Sequence, residues 1–428
     1  MRMRVISSLA AVAVAGLALA STAAGPAHAA STGDGSYAVH PIFVKSSITP
    51  DAHGNALPSP AQCVAIYGVA CNTPQSMRAA YDVPATVNGQ PAGTGSTIVI
   101  VDAYGSPTAQ SDLDTFSATM GIPSTTVHVY QPVGSVVWHS TALENDWAGE
   151  TSLDVQWAHA IAPGATIDLV EAQTAKDQVM NNAVQWAVNN LHPDAVSMSY
   201  GSPEGDLASA GANNEQNNQA AKIFAAGAAK GVTFIASSGD ANSDNNLGFE
   251  NFAYPAADPN VTAVGGTNLF KNLTSSLPAE TVWNDTDPAQ CPFGCTDGSF
   301  GGTGGAPSLV TGKQGSDVAY DASVYTGVLV YQGFHAAKDN GFYFTGGTSA
   351  GSPQWAAIDA ILVQASGHDL GNLRPSLASW ASSGALNDVT VGDNTSPTFS
   401  GGYAAKTGWD APTGYGTPDV GKLLGQVS

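Results

Sequence analysis

The run Thr97-Ile98-Val99-Ile100-Val101, broken at once by Asp102-Ala103-Tyr104-Gly105, decides how the rest of the chain is read. A continuous β-branched run without polar alternation describes a strand buried on both faces, and the break after it describes a loop. Working outward, the same texture returns. Helices are predicted over residues 112–120, over 147–161 with Ala162-Pro163-Gly164 as its stop, over 179–190, and over 215–230 with Gly231 as its close. Strands are predicted over 165–170, 195–199, 232–236 and 261–264. Strands alternating with helices of this length form βαβ units. The expected fold is therefore α/β, with a mostly parallel central sheet and helices on both faces.

The flanks are less regular. Thr73-Pro74 caps a short helix over 75–81, with Pro74 at its first position. Residues 30–72 show little periodicity and read as an extended segment. Residues 268–342 are loose and rich in Gly, Ser and Asp. One long apolar helix is expected over 353–364, and residues 387–415 read as a Gly/Asp/Asn-rich loop. No repeat with a period of 20–50 residues is present, so one large domain over 73–428 is expected.

Composition narrows the function. The 428 residues carry 13 Lys+Arg against 34 Asp+Glu, a net charge of −21, yet charged residues are only 11%. An ordinary globular chain has roughly 25%. The acidity comes from missing bases. No basic patch is available to neutralise phosphates, which argues against nucleic acid, and an acidic surface argues against anionic lipid. With 43% hydrophobic residues the chain is too apolar for intrinsic disorder.

Residues 1–29 read as a signal peptide. Arg2 and Arg4 form a positive start, an apolar run follows over 6–20, and Ala27-His28-Ala29 is an A-x-A cleavage site. The rival reading is an uncleaved anchor. Without Arg2 and Arg4 the remainder has 11 bases against 34 acids, a net −23. No later stretch is long and apolar enough to span a membrane, so a secreted, extracellular protein acting as a monomer is expected. The four cysteines form two close pairs, Cys63/Cys71 and Cys291/Cys295. Local disulfides are the simplest arrangement after export. A zinc site is the weaker alternative, because no His stands beside them.

The densest chemical signal is Thr345-Gly346-Gly347-Thr348-Ser349-Ala350-Gly351-Ser352-Pro353, a Ser among small residues between a strand and a helix. The helix dipole favours anionic species there, and small neighbours admit a substrate backbone. The plain alternative is a helix-capping turn. Gly347-x-Ser349-x-Gly351 also matches the nucleophile elbow of α/β-hydrolases, which needs an acid and then a His downstream. His368, 19 residues on, is the only His after Ser349, so that reading is set aside. A Ser-His-Asp triad fails similarly, since neither His139 nor His159 has the Gly-rich helix-start context of such a base.

A carboxylate can serve as the base. Glu150 and Asp154 are four residues apart, so they share one helical face. Trp147, Leu153, Val155 and Trp157 around them point to burial, and two like charges so placed split their pKa values. The alternative is a solvated acidic face. Ser238-Gly239-Asp240 follows the buried strand over 232–236, at the carboxyl end where α/β sites are built. Alone, Asp240 is an ordinary turn residue.

Glu150-x-x-x-Asp154, Ser238-Gly239-Asp240 and Gly347-Thr348-Ser349, in that order, resemble the sedolisin family of serine-carboxyl peptidases. Ala158-His159-Ala160-Ile161-Ala162-Pro163-Gly164, Ser197-Met198-Ser199-Tyr200-Gly201, Tyr254-Pro255-Ala256-Ala257, Val264-Gly265-Gly266-Thr267 and Gly414-Tyr415-Gly416-Thr417-Pro418 agree with it, over about residues 73–428. The resemblance implies a subtilisin-like fold and hydrolysis of polypeptide substrates. Ser349 would be the nucleophile, Glu150 the general base and then acid, Asp154 its orienting partner, and Asp240 the oxyanion-hole residue. It also implies one structural Ca2+, with carboxylates from Asp388 and Asp410 and backbone carbonyls from Val389, Lys406 and Gly408. Lys406 stands where the family often has Gly, which a carbonyl ligand tolerates. A metal-free loop is the alternative there. The family usually carries a long N-terminal prosegment, whereas only residues 30–72 precede the mature-like start here. The readings carried forward are an acid-acting peptidase, endo or exo, and an inactive peptide-binding relative.

Overall fold

The computed structural model describes residues 36–39, 41–49, 57–204, 215–271, 273, 278–290 and 301–427. Residues 1–29, which read as a signal peptide in the sequence, and the pair Cys291/Cys295 lie outside the described residues.

An eight-stranded sheet forms the centre. Its order is Glu280–Val282, Val261–Leu269, Thr233–Ser237, Ala195–Met198, Thr97–Ala103, Thr166–Ala172, Val127–Tyr130, with Val318–Asp321 also paired to Val261–Leu269. All pairings are parallel except that of Glu280–Val282. The strand Thr97–Ala103 explains the layering. Ile98 and Ile100 join a core under the helices Ala109–Met120, Ala142–Ile161 and Gly351–Ser366. Val99 and Val101 join a second core under Asp177–Asn190 and Glu215–Ala228. Each such side chain contributes roughly 1.5–3 kcal/mol on burial. The strand therefore drives both layers together. Its neighbours on either side, Thr166–Ala172 and Ala195–Met198, come later in the chain, which creates a crevice at the carboxyl ends of these strands.

Several elements differ from the sequence reading. The helix expected from Trp147 begins at Ala142, because Thr141 and Glu144 form a reciprocal cap: the Thr141 hydroxyl accepts from Glu144 N at 3.2 Å and Glu144 Oε2 accepts from Thr141 N at 2.9 Å. The segment taken as extended contains the helix Pro60–Tyr67, capped the same way by Ser59 and Gln62, and a disulfide joins Cys63 to Cys71. The loose stretch contains the strands Val318–Asp321 and Val328–Gln332. A second, three-stranded sheet sets Gly341–Gly346 between Val328–Gln332 and Ile42–Lys45, both antiparallel to it. That strand delivers the chain to Ser349.

Candidate active site

Ser349 stands where Gly341–Gly346 turns into the helix Gly351–Ser366 through a single 3-10 turn, Thr348–Ala350. Gly347 precedes the turn at φ +117°, a region favouring glycine, and a Cβ there would come within 2.6 Å of Asp240 Oδ2. Gly351 is required by packing, since a Cβ would meet Val264 Cγ1 at 2.7 Å. The helix is pinned from below: Ser352 and Ser197 hydroxyls lie 2.9 Å apart, and Trp355 Nε1 donates to Ala319 O at 3.1 Å.

The helix Ala142–Ile161 crosses beside this turn with Glu150 and Asp154 fully buried. Burial pushes the Glu150 pKa well above the carboxylate range, and the charges of Asp154 and Asp102 add to it. The Ser349 hydroxyl opposes that shift, yet it donates its own hydrogen bond to Ser199 O at 3.3 Å, and neither Glu150 oxygen closes one of ordinary geometry. Asp154 is raised in the same way, by burial first and Asp102 second, while Ser199 Oγ donates to its Oδ1 at 2.9 Å. Two carboxyls that repel in a dry site hold a proton between them.

Asp240 follows the strand Thr233–Ser237 and reaches the other side of the turn. Its Oδ1 accepts from Thr348 N at 2.7 Å and from Thr348 Oγ1 at 2.6 Å, and its Oδ2 lies beside Gly347. Loss of hydration raises its pKa to about 6, against the pull of those two donors. One cavity is lined by Ser349, Thr348, Asp240, Gly239, Ser199 and Gly201. The structure thus gathers all four residues singled out in the sequence, Ser349, Glu150, Asp154 and Asp240, around one turn.

Sequence reasoning missed Asp102. It is the second-last residue of the strand Thr97–Ala103, is fully buried, and has no hydrogen-bond partner of ordinary geometry at either oxygen. Burial carries its pKa to about 7, with Thr151 opposing and Glu171 reinforcing. The signal was present: an acid near the end of a strand buried on both faces is costly unless it has a use. The histidines bond elsewhere. His159 pairs with Pro123 O at 2.6 Å and His139 with Glu144 at 3.0 Å.

Away from the cleft, the chain brings Asp388 and Asp410 together. Gly408 N donates to Asp388 Oδ2 at 2.9 Å and Lys406 N to Asp410 Oδ2 at 3.1 Å. Asp410 is buried and its pKa is raised, by burial first and with Asp388 contributing repulsion. Among the described residues neither acid has a Lys or Arg ion-pair partner, and no group of three or more His, Cys, Asp or Glu is arranged to hold a metal ion. Two converging acids without a base, flanked by the Val389 backbone, are a donor set that suits a hard cation.

Residues 132–403 match the model of the subtilase family, Peptidase_S8. The chain is 30% identical to Sedolisin from Pseudomonas sp. (strain 101) over 357 residues, covering 79% of this chain and 58% of that protein. It is 32% identical to Kumamolisin from Bacillus sp. (strain MN-32) over 374 residues, covering 82% and 63%. The chain thus spans about three fifths of the length of these curated relatives. The structure of Pseudomonas sedolisin, a serine-carboxyl proteinase complexed with two molecules of pseudo-iodotyrostatin, superposes with a TM-score of 0.69 at 29% identity, over 84% of this chain and 98% of that one. With its subtilisin-like sheet, its ordered motifs and these matches, the chain belongs to the sedolisin family, within the subtilase family whose model it fits.

Proposed function

We propose that the chain is an acid-acting serine-carboxyl peptidase that hydrolyses polypeptides through Ser349, Glu150, Asp154 and Asp240. The observation that carries this reading is the gathering of a serine hydroxyl, a buried carboxyl pair and a third carboxyl around one glycine-bounded turn. Ser349 Oγ attacks the scissile carbonyl carbon while its proton passes to Glu150. Asp154, held by Ser199, keeps Glu150 oriented and shares its proton. The tetrahedral oxyanion takes a hydrogen bond from the Asp240 carboxyl, which donates only while protonated. Glu150 then gives its proton to the leaving amine, and water releases the acyl group by the same steps in reverse roles.

The pH dependence follows from the same groups. Below the range where the Glu150–Asp154 pair carries one negative charge, no base is present. Above about 6 Asp240 loses its proton and its donor role. Both limits leave an acid optimum. The test is hydrolysis of an unfolded protein at about pH 3–5 and pH 7 by wild type, Ser349→Ala and Glu150→Gln. An acid optimum abolished in both variants supports the reading, and equal activity in all three sinks it.

Export and calcium belong to the same reading. The signal-like residues 1–29 and the Cys63–Cys71 disulfide suit an oxidising, extracellular setting. No helix among the described residues is long and apolar enough to cross a membrane. Asp388 and Asp410, with carbonyls of Val389, Lys406 and Gly408, would hold one Ca2+, whose charge would neutralise their repulsion and tie the C-terminal loop.

A further inference from the structure

The loose, Gly-rich stretch holds a ribbon, Gly301-Gly302-Thr303-Gly304-Gly305, laid against the backbone of the loop that carries Asp240. Gly302 N donates to Asp240 O at 3.1 Å, Gly304 N donates to Gly239 O at 2.7 Å, and Asn242 N donates to Gly302 O at 2.8 Å. The approach is too close for side chains: a Cβ on Gly304 would run into Ser238 O, and one on Gly301 into Asp240 O. Four glycines in five residues are costly to hold in one shape, since glycine loses the most conformational freedom on folding. The ribbon therefore needs anchors outside itself. Thr303 supplies one, because its Oγ1 accepts from Gly266 N in the central sheet at 2.8 Å.

Asn394 supplies the other. It is fully buried, and its Nδ2 donates to three successive ribbon carbonyls, Thr303 O at 3.2 Å, Gly304 O at 3.2 Å and Gly305 O at 2.9 Å. Its Oδ1 accepts from Tyr403 N at 2.9 Å. Its backbone carbonyl accepts from Ser243 N at 3.2 Å, three residues past Asp240. One residue thus grips the Asp240 loop directly and, through the ribbon, from behind. Beside it, Thr395 O accepts from Asn284 Nδ2 at 3.1 Å and Asn242 Nδ2 at 3.4 Å, which fixes the grip in place. The consequence falls on the Asp240 carboxyl, whose Oδ1 holds Thr348 N at 2.7 Å and Thr348 Oγ1 at 2.6 Å. A slide of about 1 Å in the Asp240 backbone would carry both past hydrogen-bond length, and misplacement of that size costs on the order of a hundredfold in rate.

We propose that Asn394 is a positioning residue for the reaction: by pinning the glycine ribbon, it holds the Asp240 carboxyl in place against the turn of Ser349. The proposal rests on the peptidase reading for the role of Asp240. Its test is a double-mutant cycle in the full chain. The kcat and KM on an unfolded protein substrate are measured at the acid optimum for wild type, Asn394→Ala, Asp240→Ala and the two together. A second measurement needs no catalysis. In the chain carrying Ser349→Ala, the Thr348 N–H that donates to Asp240 Oδ1 reports the protonation of that carboxyl through its 15N shift as pH is varied.

Asn394→Ala alone should lower kcat by about tenfold to a hundredfold and leave KM within about twofold, because the interaction lost is one made in the transition state. Once Asp240 is Ala, adding Asn394→Ala should change kcat by less than about twofold. Asn394→Ser keeps one donor. It should fall between wild type and Asn394→Ala, and it takes the place of Asn394→Ala should that variant not fold. The Thr348 signal should inflect near about pH 6 in the parent and be displaced or lost when Asn394→Ala is added. An equal fall in kcat with and without the Asp240 carboxyl, or a rise in KM at constant kcat, makes Asn394 a structural residue only and overturns the proposal. If the wild type hydrolyses nothing, the peptidase reading falls and the Thr348 signal decides alone: an inflection displaced by Asn394→Ala supports the positioning role, and an unchanged one overturns it.

Discussion

Two regions of the molecule bury acids and treat them in opposite ways. Asp317 is met by bases: Lys313 Nζ lies 2.6 Å from its Oδ2, Arg374 Nε lies 2.8 Å from its Oδ1, and Ala263 N adds a third donor at 2.8 Å. Asp102, Glu150 and Asp154 are buried as deeply, and no Lys or Arg among the described residues pairs with them. The first region neutralises its charge with countercharge and keeps it. The second can be neutral only by holding protons, and a proton held by a carboxyl can be passed on. The difference separates an acid that holds structure from acids available for proton transfer.

The comparison breaks first at the nucleophile. Ser349→Ala and Glu150→Gln should each lower hydrolysis by several orders of magnitude, up to on the order of a million-fold, in an assay on an unfolded protein at the acid optimum, with melting temperature little changed. Asp317→Ala should do the reverse. It strands a buried Lys313, whose side chain is 1% exposed, and should cost about 3–5 kcal/mol in a denaturant titration while the shape of the pH–activity profile stays.

Asp102→Asn sharpens the contrast by pH. The folded-state pKa of Asp102, about 7, lies above the ordinary value of 3.8. Its stabilising effect is therefore complete below the unfolded pKa near 4 and is lost as pH rises through about 7. Wild type and Asp102→Asn should melt alike near pH 4, and the variant should be the more stable by on the order of a few kcal/mol above pH 8. Asp317→Asn should show no such neutral-pH gain. The smallest effect concerns the acids of the C-terminal loop: chelating Ca2+ should lower the melting temperature by the equivalent of about 2–3 kcal/mol if the ion is present at roughly a hundred times its Kd, and Asp388→Ala should abolish that response.

Much of this contrast was legible in residues alone. The strands led by Thr97 and Thr233 announce themselves by uninterrupted β-branched or aromatic runs, and Thr73-Pro74 announces a helix start. Glu150 and Asp154 share a face because helical periodicity is local. What escaped depends on distance or on short signals. Val318–Asp321 has four residues and no period to count. Ser59-Pro60-Ala61-Gln62 and Thr141-x-x-Glu144 are caps overlooked inside polar stretches. Asp102 looked like the start of a loop because its partners, Glu150 and Asp154, lie some fifty residues away in the chain. The pairing of Ala38 with Gly201 joins segments with no shared local pattern.

The most direct test of the account is the pH dependence of kcat/KM on an unfolded protein for wild type, Glu150→Gln and Asp240→Asn. The account predicts an acid maximum for wild type with an alkaline limb near about pH 6, where Asp240 ionises. It predicts near-complete loss in Glu150→Gln, and an alkaline limb displaced upward in Asp240→Asn, whose amide donates at any pH. A wild-type maximum above pH 7, or an unchanged profile in Glu150→Gln, would contradict it.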